Sequence, residues 1–280
     1  YIQSFQNTFR IGVIEMINVK NSYLFLILLL CFFWVPIKLL AAENNTNIKR
    51  QNTNFFNKAA LVIGNSNYAS SPLRNTINDA KDMAESLKEL GFKVTLKLNI
   101  ELREMEESID QFGINLINAD VGLFYFAGHG VQIQGVNYLL PIGSNIKSEA
   151  VVKYEAINGN RVLSLMEEAN NDMNLIFLDA CRDNPFKNIF RSKTINGLAP
   201  MVAPRGTIIS FATAPGSVAA DGAGRNGVYT KHLLHHLKTP NLKIEEALKL
   251  VRKGVVSETG GKQVPWDLSS LMGDFYFLKT

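Results

Sequence analysis

VGLFYFAGHG, residues 121–130, decides the architecture: an apolar run of strand length stops abruptly at a histidine held between two glycines. Residues 121–127 are too few for an ordinary helix, and without polar alternation they read as a strand buried on both faces. Working outward, similar short apolar runs stand at 59–64, 94–98, 175–180 and 207–213, with a last short strand at 275–278. Between them lie helical periods at 77–90, 102–117, 161–169, 227–237 and 244–256. In the first of these Ala80, Met83, Ala84, Leu87 and Leu90 share one face. Strands alternating with helices predict an α/β architecture, a mainly parallel sheet covered on both sides. In such sheets chemistry collects in the loops beyond the carboxyl ends of the strands.

Two of those ends carry reactive side chains. The 121–127 run breaks into Gly128-His129-Gly130, and the 175–180 run leads into Asp179-Ala180-Cys181-Arg182-Asp183-Asn184-Pro185. Glycine on both sides of a histidine permits close approach of other backbone and leaves the imidazole in a crevice. Taken singly, His129 also reads as a turn residue and Cys181 as a small buried hydrophobe. Together at equivalent strand ends they form the pair that nucleophilic catalysis needs, a thiolate to attack and an imidazole to move the proton.

Ala127-Gly128-His129-Gly130 followed by Asp179 to Pro185 resembles the caspase-like peptidases, in particular the bacterial relatives of metacaspases. The resemblance extends over residues 58–277 and takes in Ile63-Gly64-Asn65, Asn78-Asp79-Ala80, the stretch FATAPG at 211–216 and Gln263-Val264-Pro265-Trp266. It implies a caspase-like fold with a mostly parallel six-stranded sheet and helices on both faces. It also implies a cysteine endopeptidase with Cys181 as nucleophile and His129 as general base and later acid, without a third member. The oxyanion would be held by the N–H groups of Gly130 and Cys181. The acids matching Asp79 and Asp179 line the first specificity pocket in metacaspases. Two carboxylates in one pocket select Arg or Lys at P1, so protein or peptide substrates with basic P1 are the expected partners. Read alone, Asp79 is also a first-turn helix acid and Asp179 an acid hydrogen-bonded at a strand end. Residues 210–214, with Ser210 and Ala212, are expected to form an edge on which an extended substrate is laid as an added strand.

The chain departs from the metacaspase pattern at 131–148, which contains no Asp or Glu where calcium-dependent members carry part of an acidic ion site. Calcium takes several hard oxygen ligands, carboxylates among them, so no metal and no cofactor is expected. Position 127 is Ala where many metacaspases have Ser. His232 and His236 have the i, i+4 spacing of zinc ligands, but no Glu stands between them as in the metalloprotease motif and no third ligand is evident. If P1 is basic, Lys187, Arg191, Lys193 and Arg205 make residues 186–205 a candidate self-cleavage segment.

With 280 residues and 46% hydrophobic content, the chain can bury one substantial core. A net charge of +4 from scattered Lys and Arg residues gives no nucleic-acid footprint. Of its two cysteines, Cys31 lies in an apolar run and Cys181 in a polar turn, which argues against a disulfide. Met16 precedes a short region with one positive charge, an apolar stretch at 23–35, Pro36-Ile37-Lys38, and then Leu39-Leu40-Ala41-Ala42. That is the layout of a secretory signal, and Lys38 is also placed to snorkel from a retained anchor. Residues 1–15 read as upstream of the true start. The expected organisation is a signal or membrane-anchor segment at 1–42, a polar linker at 43–57 and the peptidase-like domain at 58–280, exported or anchored on the extracytoplasmic side. A competing reading keeps the fold as a catalytically silent interaction module. A nucleotide-binding protein is excluded, since neither Gly-x-Gly-x-x-Gly nor a P-loop follows the first strand.

Overall fold

Continuous apolar runs need cover on both faces, and the sheet supplies it. The computed structural model describes residues 56–180, 186, 197–219 and 222–280. In chain order the elements are β1 (Lys58–Gly64), α1 (Thr76–Glu89), β2 (Phe92–Leu98), α2 (Leu102–Leu116), β3 (Val121–Ala127), β4 (Gly130–Ile133), β5 (Val136–Leu139), α3 (Glu149–Glu155), β6 (Ile157–Asn158), α4 (Gly159–Glu168), β7 (Met173–Asp179), β8 (Thr207–Phe211), α5 (Val228–Leu237), α6 (Ile244–Glu258) and β9 (Trp266–Ser269). Six strands form one sheet in the order β2-β1-β3-β7-β8-β9, and only β9 runs antiparallel to its neighbour. The interior strands β1, β3, β7 and β8 are buried almost throughout. At the edge, β2 alternates Phe92, Val94, Leu96 and Leu98 with Lys93, Thr95 and Lys97, as a strand with one open side should.

The helices follow from the strand order. The chain steps from β1 to β2 in one direction, then crosses back past β1 to β3, and right-handed crossovers therefore put α1 and α2 on opposite faces. Helix α1 packs on β1, β2, β3 and α5, whereas α2 packs on β1 and α4. The buried positions of α2, Met105, Ser108, Ile109, Phe112 and Leu116, recur at helical period. This is the expected mostly parallel α/β sheet with helices on both faces.

Two elements differ from the sequence reading. The last strand of the sheet is β9 at Trp266–Ser269 and not 275–278, where a single bridge joins Tyr276 to Lys243. Phe275 and Phe277 alternate inward as a strand would, but they pack on each other, and Phe277 on Phe92, instead of joining a ladder. A small second sheet of β4, β5 and β6 fills residues 130–158, its hairpin closed by Gln134 and Gly135 at φ 52° and 80°. Positive φ at both central residues matches the twist of a two-residue hairpin.

Candidate active site

The strand order reverses between β1 and β3, so the loops leaving their carboxyl ends open a crevice at that point. His129, two residues past the end of β3, is 2% exposed and meets the 65–75 loop that leaves β1. Its main-chain N–H donates to the Tyr68 hydroxyl at 3.0 Å, and its ring packs on the Tyr68 ring with centroids 4.5 Å apart. The same hydroxyl donates to the Leu140 carbonyl at 2.9 Å, which ties the histidine to the strand end beyond β5. Burial pushes the Tyr68 phenol above its ordinary value of 10.0, partly offset by hydrogen bonds from the His129 backbone and the Asn65 side chain. It stays a neutral donor at any ordinary pH.

The imidazole Nε2 lies 2.7 Å from the Ser71 carbonyl. A carbonyl only accepts, so Nε2 carries a proton and, in the neutral ring, the basic lone pair is on Nδ1. Ser71 holds a φ of 64°, unusual for a side-chain-bearing residue, and the surrounding loop fixes it there. Asn99 Oδ1 accepts the N–H groups of Ser66 at 2.8 Å and Asn67 at 3.0 Å, Ser66 O accepts from Leu73 N at 3.0 Å, and Thr76 Oγ1 donates to Asn65 O at 2.8 Å. The sequence reading had assigned no orienting group for the histidine; the fold supplies one from the main chain.

Both glycines beside His129 answer to packing. A Cβ at position 128 would lie 2.6 Å from the Tyr68 hydroxyl and 2.7 Å from Phe126 Cζ. A Cβ at position 130 would lie 3.0 Å from Leu198 Cδ2 and 3.1 Å from the carbonyl of Ala180. Gly130 thus sits against the last described residue before Cys181. Leu140 N–H bonds to His129 O, which makes those two residues a bonded pair of the antiparallel ladder. Bonded pairs alternate with non-bonded ones, so Gly130 and Leu139 form the non-bonded pair and the Gly130 N–H points away from β5. Cys181, read as nucleophile and as oxyanion donor, lies outside the described residues, as do Lys187, Arg191 and Lys193 of the candidate self-cleavage segment.

Asp79 and Asp179 come from distant parts of the chain and meet the same turn. Asp79 in α1 accepts the Gly227 N–H at 2.9 Å, and Asp179 at the end of β7 accepts the Thr230 hydroxyl at 2.8 Å. Gly227 caps α5 and Thr230 lies in its first turn. Both acids are fully buried, at 0% and 1% exposure. The positive end of α5 favours them there. Tyr125, on β3, reports their combined charge: burial first, then Asp79 and Asp179, push its phenol well above 10.0.

Ser210 and Ala212 do not form an open edge. Strand β8 is paired with β7 on one side and β9 on the other, Ser210 accepts the Tyr229 hydroxyl at 2.8 Å, and Ala212 has committed both main-chain groups. Its N–H donates to Leu178 O at 3.0 Å and its carbonyl accepts Gln263 Nε2 at 2.8 Å. Strand β9 occupies the side of β8 on which an added strand would lie. His232 Nε2 bonds Glu258 at 2.8 Å, and no group of three His, Cys, Asp or Glu side chains gathers as a metal site among the described residues.

Residues 57–276 match the caspase domain family. Mucosa-associated lymphoid tissue lymphoma translocation protein 1 of Homo sapiens is 30% identical over 187 residues, covering 64% of this chain and 22% of the relative. Its homolog in Mus musculus is 29% identical over 187 residues, covering 64% and 21%. The chain therefore spans about a fifth of the length of these curated relatives. A match over most of the chain, on a sheet whose carboxyl end presents the buried histidine, is decisive for family, and the chain belongs to the caspase-domain peptidases.

Proposed function

We propose that this chain is a cysteine endopeptidase that cleaves after Arg or Lys, with Cys181 as nucleophile and His129 as proton carrier. The observation that carries the specificity is the convergence of two buried carboxylates, Asp79 and Asp179, on the first turn of α5. The Gly227 N–H and the Thr230 O–H that meet them there are uncharged donors. A guanidinium or ammonium entering beside them gains from both acids, and an acidic P1 side chain is repelled.

The dyad rests on register. Ala127 and Asp179 are register partners across the parallel pair β3 and β7, and in the sequence His129 and Cys181 each come two residues later, which supports their meeting. In the reaction, His129 Nδ1 takes the thiol proton and the Cys181 sulfur bonds to the scissile carbonyl carbon. The oxyanion is met by the N–H groups of Gly130 and Cys181, and the C–N bond breaks as His129 returns the proton to the leaving amine. Water, deprotonated by His129, then releases the acyl group from sulfur. Calcium is not needed, because the 131–148 segment lacks carboxylates. The apolar segment at 23–42 sends the domain across or onto a membrane; that segment lies outside the described residues, and no described helix is long and apolar enough to cross one.

The test is hydrolysis of matched fluorogenic peptides with Arg, Lys or Asp at P1 by the full chain and by its Cys181→Ala variant, with calcium and with chelator. Cleavage after Arg and Lys that survives chelation and vanishes in the variant is the expected result. Faster cleavage after Asp, or full activity in Cys181→Ala, overturns the assignment.

A further inference from the structure

We propose that Thr230 and Tyr125 are positioning residues for P1 selection: the hydroxyl chain Tyr125 to Thr230 to Asp179 fixes the plane of the Asp179 carboxylate for two-point recognition of a guanidinium. This rests on the reading of Asp79 and Asp179 as the P1 pocket. Thr230 Oγ1 lies 2.8 Å from Asp179 Oδ2 and 2.6 Å from the Tyr125 hydroxyl, and all three side chains are at most 1% exposed. A threonine hydroxyl has one proton and the carboxylate can only accept, so that proton goes to Asp179 and Tyr125 donates to Thr230. Each O–H thereby polarises the next, which strengthens the bond to the charged end of the chain. The three residues come from α5, β3 and β7, so the carboxylate is held against two separate parts of the fold. Tyr125 also feels the charge of both acids, and its raised phenol pKa keeps it a donor in the working range.

The geometry has a chemical consequence for selectivity. Arg presents its donors as a rigid planar fork, so its recognition depends on the angle of the carboxylate. Lys presents a point charge with rotatable donors and depends mainly on distance. Removing the Thr230 hydroxyl leaves the Asp179 charge in place but takes away a bond that holds its plane. Arg recognition should suffer and Lys recognition should suffer less.

The experiment compares the full chain with its Thr230→Val, Thr230→Ser and Tyr125→Phe variants on Arg-P1 and Lys-P1 reporters, with thermal melting alongside. Thr230→Val keeps the shape and removes the hydroxyl. It should lose roughly 10- to 100-fold in kcat/KM for Arg and clearly less for Lys, so the Arg to Lys ratio falls. Thr230→Ser, which keeps the hydroxyl, should restore the ratio, and Tyr125→Phe should lower it partway. A merely structural role would lower the melting temperature and leave the ratio unmoved. An unchanged Arg to Lys ratio in both Thr230→Val and Tyr125→Phe overturns the proposal while leaving the basic-pocket reading intact. A parent chain that does not prefer basic P1 overturns the pocket reading and this proposal with it. Should Thr230→Val fail to fold, Tyr125→Phe against the parent decides.

Discussion

Replacing Tyr68 by Phe isolates the hydrogen bonds that hold His129, the proposed proton carrier. The ring is kept, so its packing on His129 at 4.5 Å remains, and only the hydroxyl is lost. That hydroxyl makes two bonds, one from His129 N–H and one to Leu140 O. Leu140 O keeps the Asn65 amide as donor at 3.2 Å, whereas the His129 N–H loses its partner in a site that is 2% exposed. One orphaned buried donor costs about 1–3 kcal/mol. For a domain of this size each kcal/mol moves the melting temperature by about 2–4 °C, so Tyr68→Phe should melt roughly 2–12 °C lower. The histidine should also sit less firmly, which on the proposed mechanism lowers kcat on an Arg-P1 reporter while KM holds, because the proposed P1 acids belong to other elements. The assay is thermal melting with steady-state kinetics on the same preparations. A Tyr68→Phe variant with unchanged melting temperature, or one whose KM rises at constant kcat, refutes the reasoning.

Tyr68 and Tyr125 both have folded pKa values raised above 10.0, so the unfolded chain gives up these protons first, and stability present below pH 10 is lost as pH rises through that value. Each phenol contributes about 1.4 kcal/mol of loss per pH unit beyond that point; denaturant titrations at about pH 9 and 11 should show the drop and Tyr125→Phe should show a smaller one, and equal slopes in the two proteins would count against it. Gly130→Ala puts a methyl 3.0–3.2 Å from Leu198 and Ala180, so it should push the end of β4 off the β7 end and abolish peptide cleavage with only about 1–3 kcal/mol of destabilisation in a denaturant titration; wild-type kcat in that variant would dismiss the close approach as incidental. Ser71→Gly relaxes a residue at φ 64° while leaving its carbonyl on His129 Nε2, so stability should hold or rise by up to about 1 kcal/mol and activity should be retained; a large loss would mean that the serine side chain acts, and not the carbonyl.

The interior of the sheet was legible because parallel strands buried on both faces cannot hide. Strands β1, β3, β7 and β8 are short apolar runs bounded by breaks, and so they read correctly. The edges carry weaker signals. In β2 the alternation begins at Phe92 and Lys93, two residues before the apolar run at 94–98 becomes obvious. Strand β9, with sequence WDLS, is half-exposed and polar at alternate positions, and Phe275 and Phe277 outbid it with a cleaner period of two. The β4–β5 hairpin had a readable cue in the Gln134-Gly135 dipeptide between Gly130–Ile133 and Val136–Leu139, but each arm is only four residues long. Among the proposed site residues, His129, Asp79 and Asp179 stand out by residue type and place. The Ser71 carbonyl does not, because every residue has one and only the loop conformation aims it. Thr230 gave no local cue either, since its role arises from α5 meeting the end of β7 across 51 positions of sequence.

In the proposed function, proton transfer and P1 selection draw on largely separate parts of the fold. His129 is oriented by the loop after β1, through Tyr68 and the Ser71 carbonyl, and that loop is pinned by Asn99 beyond the end of β2. The acids are set by α5, through Gly227 and Thr230, with Tyr125 behind them. No bond described above runs from the α5 turn to the histidine. Changes in the 66–73 loop should therefore alter turnover at constant P1 preference, and changes in the α5 turn should alter P1 preference at nearly constant turnover on the preferred peptide. The two can mix where the Asp179 carbonyl accepts the Gly128 N–H at 3.3 Å, and at Tyr125, which sits on β3, the strand that ends two residues before His129. Tyr125→Phe removes its bond to Thr230 but keeps its ring in the sheet, so it too should move selectivity without moving turnover, which separates the role of its hydroxyl from that of the strand that carries it.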